Sequence, residues 1–146
     1  MTTIKSKAQA QWKGNLKEGK GTFSANSGAF SDLPYSFASR FTNEDGTNPE
    51  ELIAAAHSAC FSMALSNELS QAGHTPKSVE TEAIVSLKKV EGGFAVDNIA
   101  LETRGKVPGI DNDTFQKFAE GAKKNCPISQ LLTPGLNSVT LKATLL

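Results

Sequence analysis

The chain has 146 residues, with 15 Lys and Arg against 15 Asp and Glu and a formal net charge of zero. That length predicts one domain, residues 1–146, able to bury a core without metal or disulfide staples. The charge balance leaves no basic footprint for nucleic acid and no polybasic signal for a membrane surface. Charged residues at 21% and hydrophobic residues at 38% suit a globular domain and exclude disorder.

Two cysteines are too few for a disulfide scaffold. Met1 to Trp12 carries no apolar core of a secretory signal, and every long apolar stretch is broken by Glu, His or Ser. The expected compartment is the cytoplasm. There, two cysteines in a chain this size are expected reduced, catalytic or redox-cycling.

From Ile4 to Phe41 the pattern predicts short strands joined by turns. Ala8, Ala10 and Trp12 alternate with Gln9 and Gln11, and Gly14-Asn15, Glu18-Gly19 and Asn26-Ser27-Gly28 are turn signals. Tyr35, Phe37 and Ser39 alternate with Ser36, Ala38 and Arg40 as a further strand. A long helix follows. Thr47 or Asn48 caps it, Pro49 suits its first position, and Glu50 and Glu51 complement the positive dipole end. It is expected to reach about Ala72 and stop at Gly73. From Leu52 to Leu65 nearly every residue is apolar or small, so the helix is expected to be buried on all sides, packed against its twin in a dimer.

Two strands, Val79 to Val90 and Phe94 to Val107, flank the turn Glu91-Gly92-Gly93. Asp111 or Asp113 caps a second helix from Thr114 to about Lys124, which Cys126-Pro127 interrupts before a short turn through Leu132. Ser138 to Leu145 closes the chain as a strand. The order predicts an α+β fold with mainly antiparallel sheets rather than alternating βαβ units.

Cys60 lies in the apolar helix, where a small buried hydrophobe and a nucleophile are both open readings. In apolar surroundings its thiol is inert unless a cation reaches it. His57, three residues earlier, shares its helical face and offers a Cys–His pair as in thiol hydrolases, or is simply a packed histidine. Arg40 is the alternative cation, or else a solvated surface arginine. At about 4 Å and an effective dielectric of about 20, a guanidinium attracts a thiolate by about 4 kcal/mol. Glu50 can hold Arg40 in a bidentate contact, or serve with Glu51 as helix N-terminal charge. Ten residues of straight helix separate Glu50 from Cys60, about 15 Å and about 80° around the axis. Either an arginine bridges them, the helix breaks, or a partner subunit supplies one of them. Cys126 precedes Pro127 near a helix start, where the dipole lowers a thiol pKa, unless it is a lone core cysteine. The spacing of His57, Cys60, His74 and Cys126 fits no zinc-finger pattern, and no dinucleotide or P-loop motif is present.

Three segments carry a resemblance. Gly46-Thr47-Asn48-Pro49-Glu50-Glu51-Leu52, Ala54-Ala55-Ala56-His57-Ser58-Ala59-Cys60-Phe61 and Cys126-Pro127-Ile128-Ser129 resemble the OsmC/Ohr family, the osmotically induced protein C and organic hydroperoxide resistance proteins. The likeness spans essentially the whole chain, including Gly19-Lys20-Gly21-Thr22 and Val107-Pro108-Gly109-Ile110-Asp111. His57 and Pro34-Tyr35-x-Phe37-x-x-Arg40-Phe41 resemble the OsmC branch. The resemblance implies sheets wrapped around a long buried helix in an intertwined homodimer. It implies a thiol-dependent peroxidase for organic hydroperoxides, acting in oxidative or osmotic stress. Cys60 matches the peroxidatic cysteine, Cys126 the resolving one, Arg40 the thiolate activator and Glu50 the residue that positions Arg40. No metal and no bound cofactor are implied. It implies a dithiol reductant, typically of lipoyl type, carried by a lipoylated protein, or another dithiol. A pocket lined by Phe61 and Met63 is expected to favour organic hydroperoxides over hydrogen peroxide. The rival readings are a thiol hydrolase using Cys60 and His57, and a non-enzymatic stress-binding dimer.

Overall fold

The computed structural model describes residues 2–146. The chain forms two compact units, the first ending at Leu52 and the second running Ile53–Leu146.

The first unit is a three-stranded sheet of β1 (Ala8–Lys13), β2 (Lys20–Ala25) and β3 (Leu33–Ser36), antiparallel in that order. Its apolar side is aromatic. Tyr35 sits between Trp12 and Phe23, with ring centroids 5.3 and 5.2 Å away. Gly21 makes room for this packing, since a Cβ there would lie 2.5 Å from the Tyr35 ring and 2.7 Å from that of Trp12.

The strand expected through Ser39 stops at Ser36. Residues Phe37–Phe41 form a short helix, α1. Ser36 and Ser39 cap it reciprocally: the Ser36 hydroxyl accepts from the Ser39 N–H and the Ser39 hydroxyl accepts from the Ser36 N–H. One and a half turns are too short for a 3.6-residue period to show, so the segment's pattern reads as period two.

Helix α2 runs Pro49–Gln71. Asn48 Oδ1 accepts from the Glu51 N–H at 2.8 Å, so of the two expected caps Asn48 does the capping. At the other end Gly73 adopts φ 86°, and the His74 N–H closes the helix by donating to the Leu69 carbonyl.

In the second unit β4 (Ser78–Val90) and β5 (Gly93–Lys106) form a long antiparallel hairpin, with a bulge between Ser86 and Leu87. Helices α3 (Asn112–Asn125) and α4 (Pro127–Leu132) and a 3₁₀ turn (Thr133–Gly135) lead to β6 (Ser138–Leu145). Strand β6 pairs parallel with β5, so this one stretch is a βαβ crossover rather than another hairpin. Parallel neighbours require such a long connection, and α3 supplies it while covering the sheet. The core joins Phe61, Leu65 and Leu69 of α2 to Ile99 and Leu101 of β5 and Phe115, Ala119 and Ala122 of α3.

Burial on α2 differs from the expectation. His57, Phe61, Leu65 and Leu69 form one buried stripe at four-residue spacing, whereas Ala55, Ala56, Ala59 and Met63 are exposed. Within one chain the sheet and α3 cover only one side of this helix.

Candidate active site

The first unit holds the arginine and the glutamate. Helix α1 presents Arg40, and the first turn of α2 presents Glu50. The Arg40 Nη2 donates to Glu50 Oε1 at 2.7 Å, and Nε lies 3.2 Å from both carboxylate oxygens. Two donors on one edge of the guanidinium thus meet a nearly buried carboxylate, a geometry that fixes the plane of the cation. The guanidinium also lies 5.2 Å from the centre of the Phe41 ring. Ser39 holds the connecting loop: its hydroxyl donates to the Thr47 carbonyl at 2.9 Å, and its own carbonyl accepts from Asn48 Nδ2. Glu51 instead accepts from the Thr47 hydroxyl at 2.8 Å. The two adjacent acids therefore divide the roles of arginine clamp and helix-end partner.

The second unit holds both thiols. Cys60 on α2 and Cys126, the residue shared by the end of α3 and the start of α4, are free thiols near enough to each other for Cys126 to perturb Cys60. Cys126 is wholly buried, whereas Cys60 is partly exposed. Burial and the Cys126 thiol push the Cys60 thiol above its ordinary pKa, against the opposing influence of the Ile128 N–H, which favours the thiolate. On these contacts the protonated thiol is the favoured form. The N–H at the start of α4 therefore serves Cys60, where the sequence pointed to Cys126.

His57 does not pair with Cys60 through its ring nitrogens. Its Nε2 lies 2.6 Å from the Ser129 hydroxyl, and its Nδ1 is buried without a partner. Burial holds the imidazole below its usual pKa, so it is neutral. The hydrolase arrangement is thus not formed. Ser129 has a defined contact that the sequence left without a role. The signal is a matched spacing, His57 three residues before Cys60 and Ser129 three after Cys126. Among the described residues no three His, Cys, Asp or Glu side chains converge as a metal-binding group.

Helix α2 is continuous from Pro49 to Gln71, so a break between Glu50 and Cys60 is ruled out. The expected pocket of Phe61 and Met63 is also corrected. Phe61 is fully buried in the core, and exposed Met63 borders a depression with Ser62, Ser66 and Asn67. A pocket with an aromatic lining lies in the first unit beside Arg40. It holds about 370 Å³ and is lined by Trp12, Leu16, Tyr35, Phe37 and Phe41.

Comparison with known proteins agrees with this fold. A family model described as OsmC-like protein matches residues 42–141. Peroxiredoxin OsmC of Escherichia coli is 56% identical over 130 residues, covering 89% of this chain and 91% of that protein. An organic hydroperoxide resistance protein of Xanthomonas axonopodis pv. citri is 38% identical over 98 residues, covering 66% of each. The solved organic hydroperoxide resistance protein OhrB of Bacillus subtilis superposes with a TM-score of 0.70 at 27% identity, covering 96% of this chain and 98% of that one. An OsmC structure from Legionella pneumophila gives 0.74 at 22% identity, covering 99% and 98%. The chain belongs to the OsmC-like family.

Proposed function

We propose that this protein is a thiol-dependent peroxidase that reduces organic hydroperoxides, in defence against oxidative or osmotic stress. The observation that carries the reading is the neighbouring pair of free thiols, Cys60 and Cys126, brought together across 66 residues of sequence by α2 and α4. The names of the relatives, a peroxiredoxin and a hydroperoxide resistance protein, support it.

The Cys60 thiolate attacks the distal oxygen of the hydroperoxide. The O–O bond breaks, the alcohol leaves with a proton, and Cys60 becomes a sulfenic acid. Cys126 displaces that hydroxyl as water and forms the disulfide. A dithiol reductant, of lipoyl type on a carrier protein, returns both thiols by exchange. Because burial and Cys126 favour the protonated thiol, the first step needs a cation. Arg40 supplies it, held by Glu50, and acts from the same chain or from the partner copy in a homodimer. The aromatic pocket beside Arg40 takes the organic group of the substrate. Its volume of about 370 Å³ is within the usual range for small-molecule sites, about 300–1,000 Å³. No helix among the described residues is long and apolar enough to cross a membrane, and we place the enzyme in the cytoplasm.

The test is intact-protein mass spectrometry after one equivalent of cumene hydroperoxide, on reduced wild type and Cys126→Ser in parallel. The expected result is loss of two hydrogens in wild type and a trappable sulfenic acid at Cys60 in the variant. Unchanged masses in both would leave the non-enzymatic dimer as the better reading. Equal rates with cumene hydroperoxide and hydrogen peroxide would remove the substrate preference.

A further inference from the structure

The contact between His57 and Ser129 is built in an unusual way. Both side chains are essentially fully buried, the imidazole is neutral, and one hydrogen bond of 2.6 Å joins them. The hydroxyl and the neutral ring each carry a hydrogen, yet the pair has one bond in which to place them. In either tautomer one hydrogen lacks an acceptor, and Nδ1 has no partner. A buried polar atom left unpaired is costly, so an apolar pair of similar shape would serve stability better. Whatever this pair contributes, it is not chiefly stability.

Its position shows what it contributes. His57 and Cys60 lie three residues apart on one face of α2, and Cys126 and Ser129 lie three apart across the start of α4. Two contacts, one turn apart, therefore join the same two elements: thiol to thiol and imidazole to hydroxyl. One contact alone would leave α4 free to slide or roll on α2. With both, the register is fixed. Disulfide formation needs that register, because the two Cβ atoms must come within about 3.5–4.5 Å with a restricted dihedral angle.

We propose that His57 and Ser129 are positioning residues for the resolving step: their bond holds Cys126 in line with the Cys60 sulfur and sets the rate and equilibrium of the Cys60–Cys126 disulfide. The inference rests on the peroxidase reading for its kinetic form, though not for its equilibrium form. In the resolving step the S–O bond of the Cys60 sulfenic acid breaks as the S–S bond forms. The proton of the Cys126 thiol leaves with the hydroxyl as water. Neither His57 nor Ser129 exchanges electrons; they hold the attacking sulfur where it can react.

The variants are Ser129→Ala, which removes the hydroxyl, Ser129→Thr, which keeps it, and His57→Gln, which keeps a polar side chain. The first measurement is the equilibrium of the Cys60–Cys126 disulfide with dithiothreitol, which needs no peroxide. Ser129→Ala and His57→Gln should shift it toward the dithiol by about tenfold or more, because a departure from disulfide geometry stores strain and makes the bond more reducible. Ser129→Thr should restore it. The second measurement follows one equivalent of cumene hydroperoxide by dimedone trapping. Ser129→Ala should consume peroxide within about threefold of wild type, yet accumulate sulfenic acid at Cys60 while wild type passes to the disulfide. An unchanged equilibrium and unchanged disulfide rate in a folded Ser129→Ala protein would overturn the proposal, even if its melting temperature fell. If wild type itself forms the disulfide by exchange with oxidised dithiothreitol but does not react with peroxide, the peroxidase reading fails, and the equilibrium measurement still decides this one.

Discussion

Arg40 and Glu50 act as one unit, and the geometry says how to test it. The guanidinium meets the carboxylate with Nη2 and Nε, so charge alone does not reproduce the contact. Lysine keeps the charge and loses the fork, while glutamine keeps the shape and loses the charge. Arg40→Lys and Glu50→Gln should each slow peroxide reduction by about tenfold or more, by loss of a preorganised charge. The double variant should be no slower than the worse single one, because both changes remove the same interaction. Stopped-flow oxidation of Cys60 measures this, and strictly multiplicative losses would show that the two side chains act separately. His57 gives a second prediction at this scale. Burial lowers its pKa from the usual 6.5. The unfolded chain therefore binds this proton more readily than the folded one, so the stability it confers is present above about pH 6.5 and is lost as the pH falls further. Urea midpoints of wild type should drop from pH 7.5 to pH 5, and His57→Gln should flatten that slope. What the sequence made legible here was local. Glu50 and Arg40 stand ten residues apart around a loop, and their pairing is anticipated by the Asn48-Pro49-Glu50 helix start. The bond from His57 to Ser129 spans 72 residues, and its one sequence signal is the matched three-residue spacing of each from a cysteine.

At the level of elements, the helices and the long hairpin follow their caps and turns closely, because those signals are local and chemically specific. Asp111 accepts from the Thr114 N–H at the start of α3, and Gly73 stops α2, both as the residue types predict. The two departures have different causes. Helix α1 is five residues long and is fixed by a serine pair and a loop carbonyl. The direction of β6 depends on α3 crossing the sheet, which strand composition does not encode. How closely α3 lies on that sheet rests on a single residue. A Cβ at Gly105 of β5 would lie 2.6 Å from the Phe115 ring, with both residues buried. Gly105→Ala should therefore force α3 outward and destabilise the fold by about 1–3 kcal/mol. Since Cys126 ends α3, the same variant should also weaken the Cys60–Cys126 disulfide. Denaturant unfolding and the dithiothreitol equilibrium read the two effects separately. A Gly105→Ala protein as stable as wild type would mean that the Phe115 ring has room to shift.

For the whole molecule the thiol of Cys60, which needs a cation, and the uncovered face of α2 raise the same question. Ala55, Ala56, Ala59 and Met63 form an exposed stripe of small and apolar residues, with Met63 74% exposed. Small side chains let a second helix approach closely, and an apolar stripe on a helix that also carries Cys60 is costly to leave in water. The composition of this helix anticipated burial on every side, and one chain covers only its Phe61–Leu65–Leu69 stripe. The proposed homodimer reconciles the two, with the α2 helices of two copies meeting along the alanine face. Met63→Glu tests this sharply. In an isolated chain an exposed methionine can become glutamate at a cost within about 0.5 kcal/mol, because water solvates the new charge. In a dimer the same change places two like charges together in an interface that cannot solvate them. Light scattering after gel filtration should report twice the chain mass for wild type and the single chain mass for Met63→Glu, with similar circular dichroism. If Arg40 reaches Cys60 across the interface, the monomeric variant should also lose peroxidase activity, and raising its concentration should recover it. A Met63→Glu protein that stays dimeric would place the interface on another face and leave the exposed stripe of α2 for a different partner.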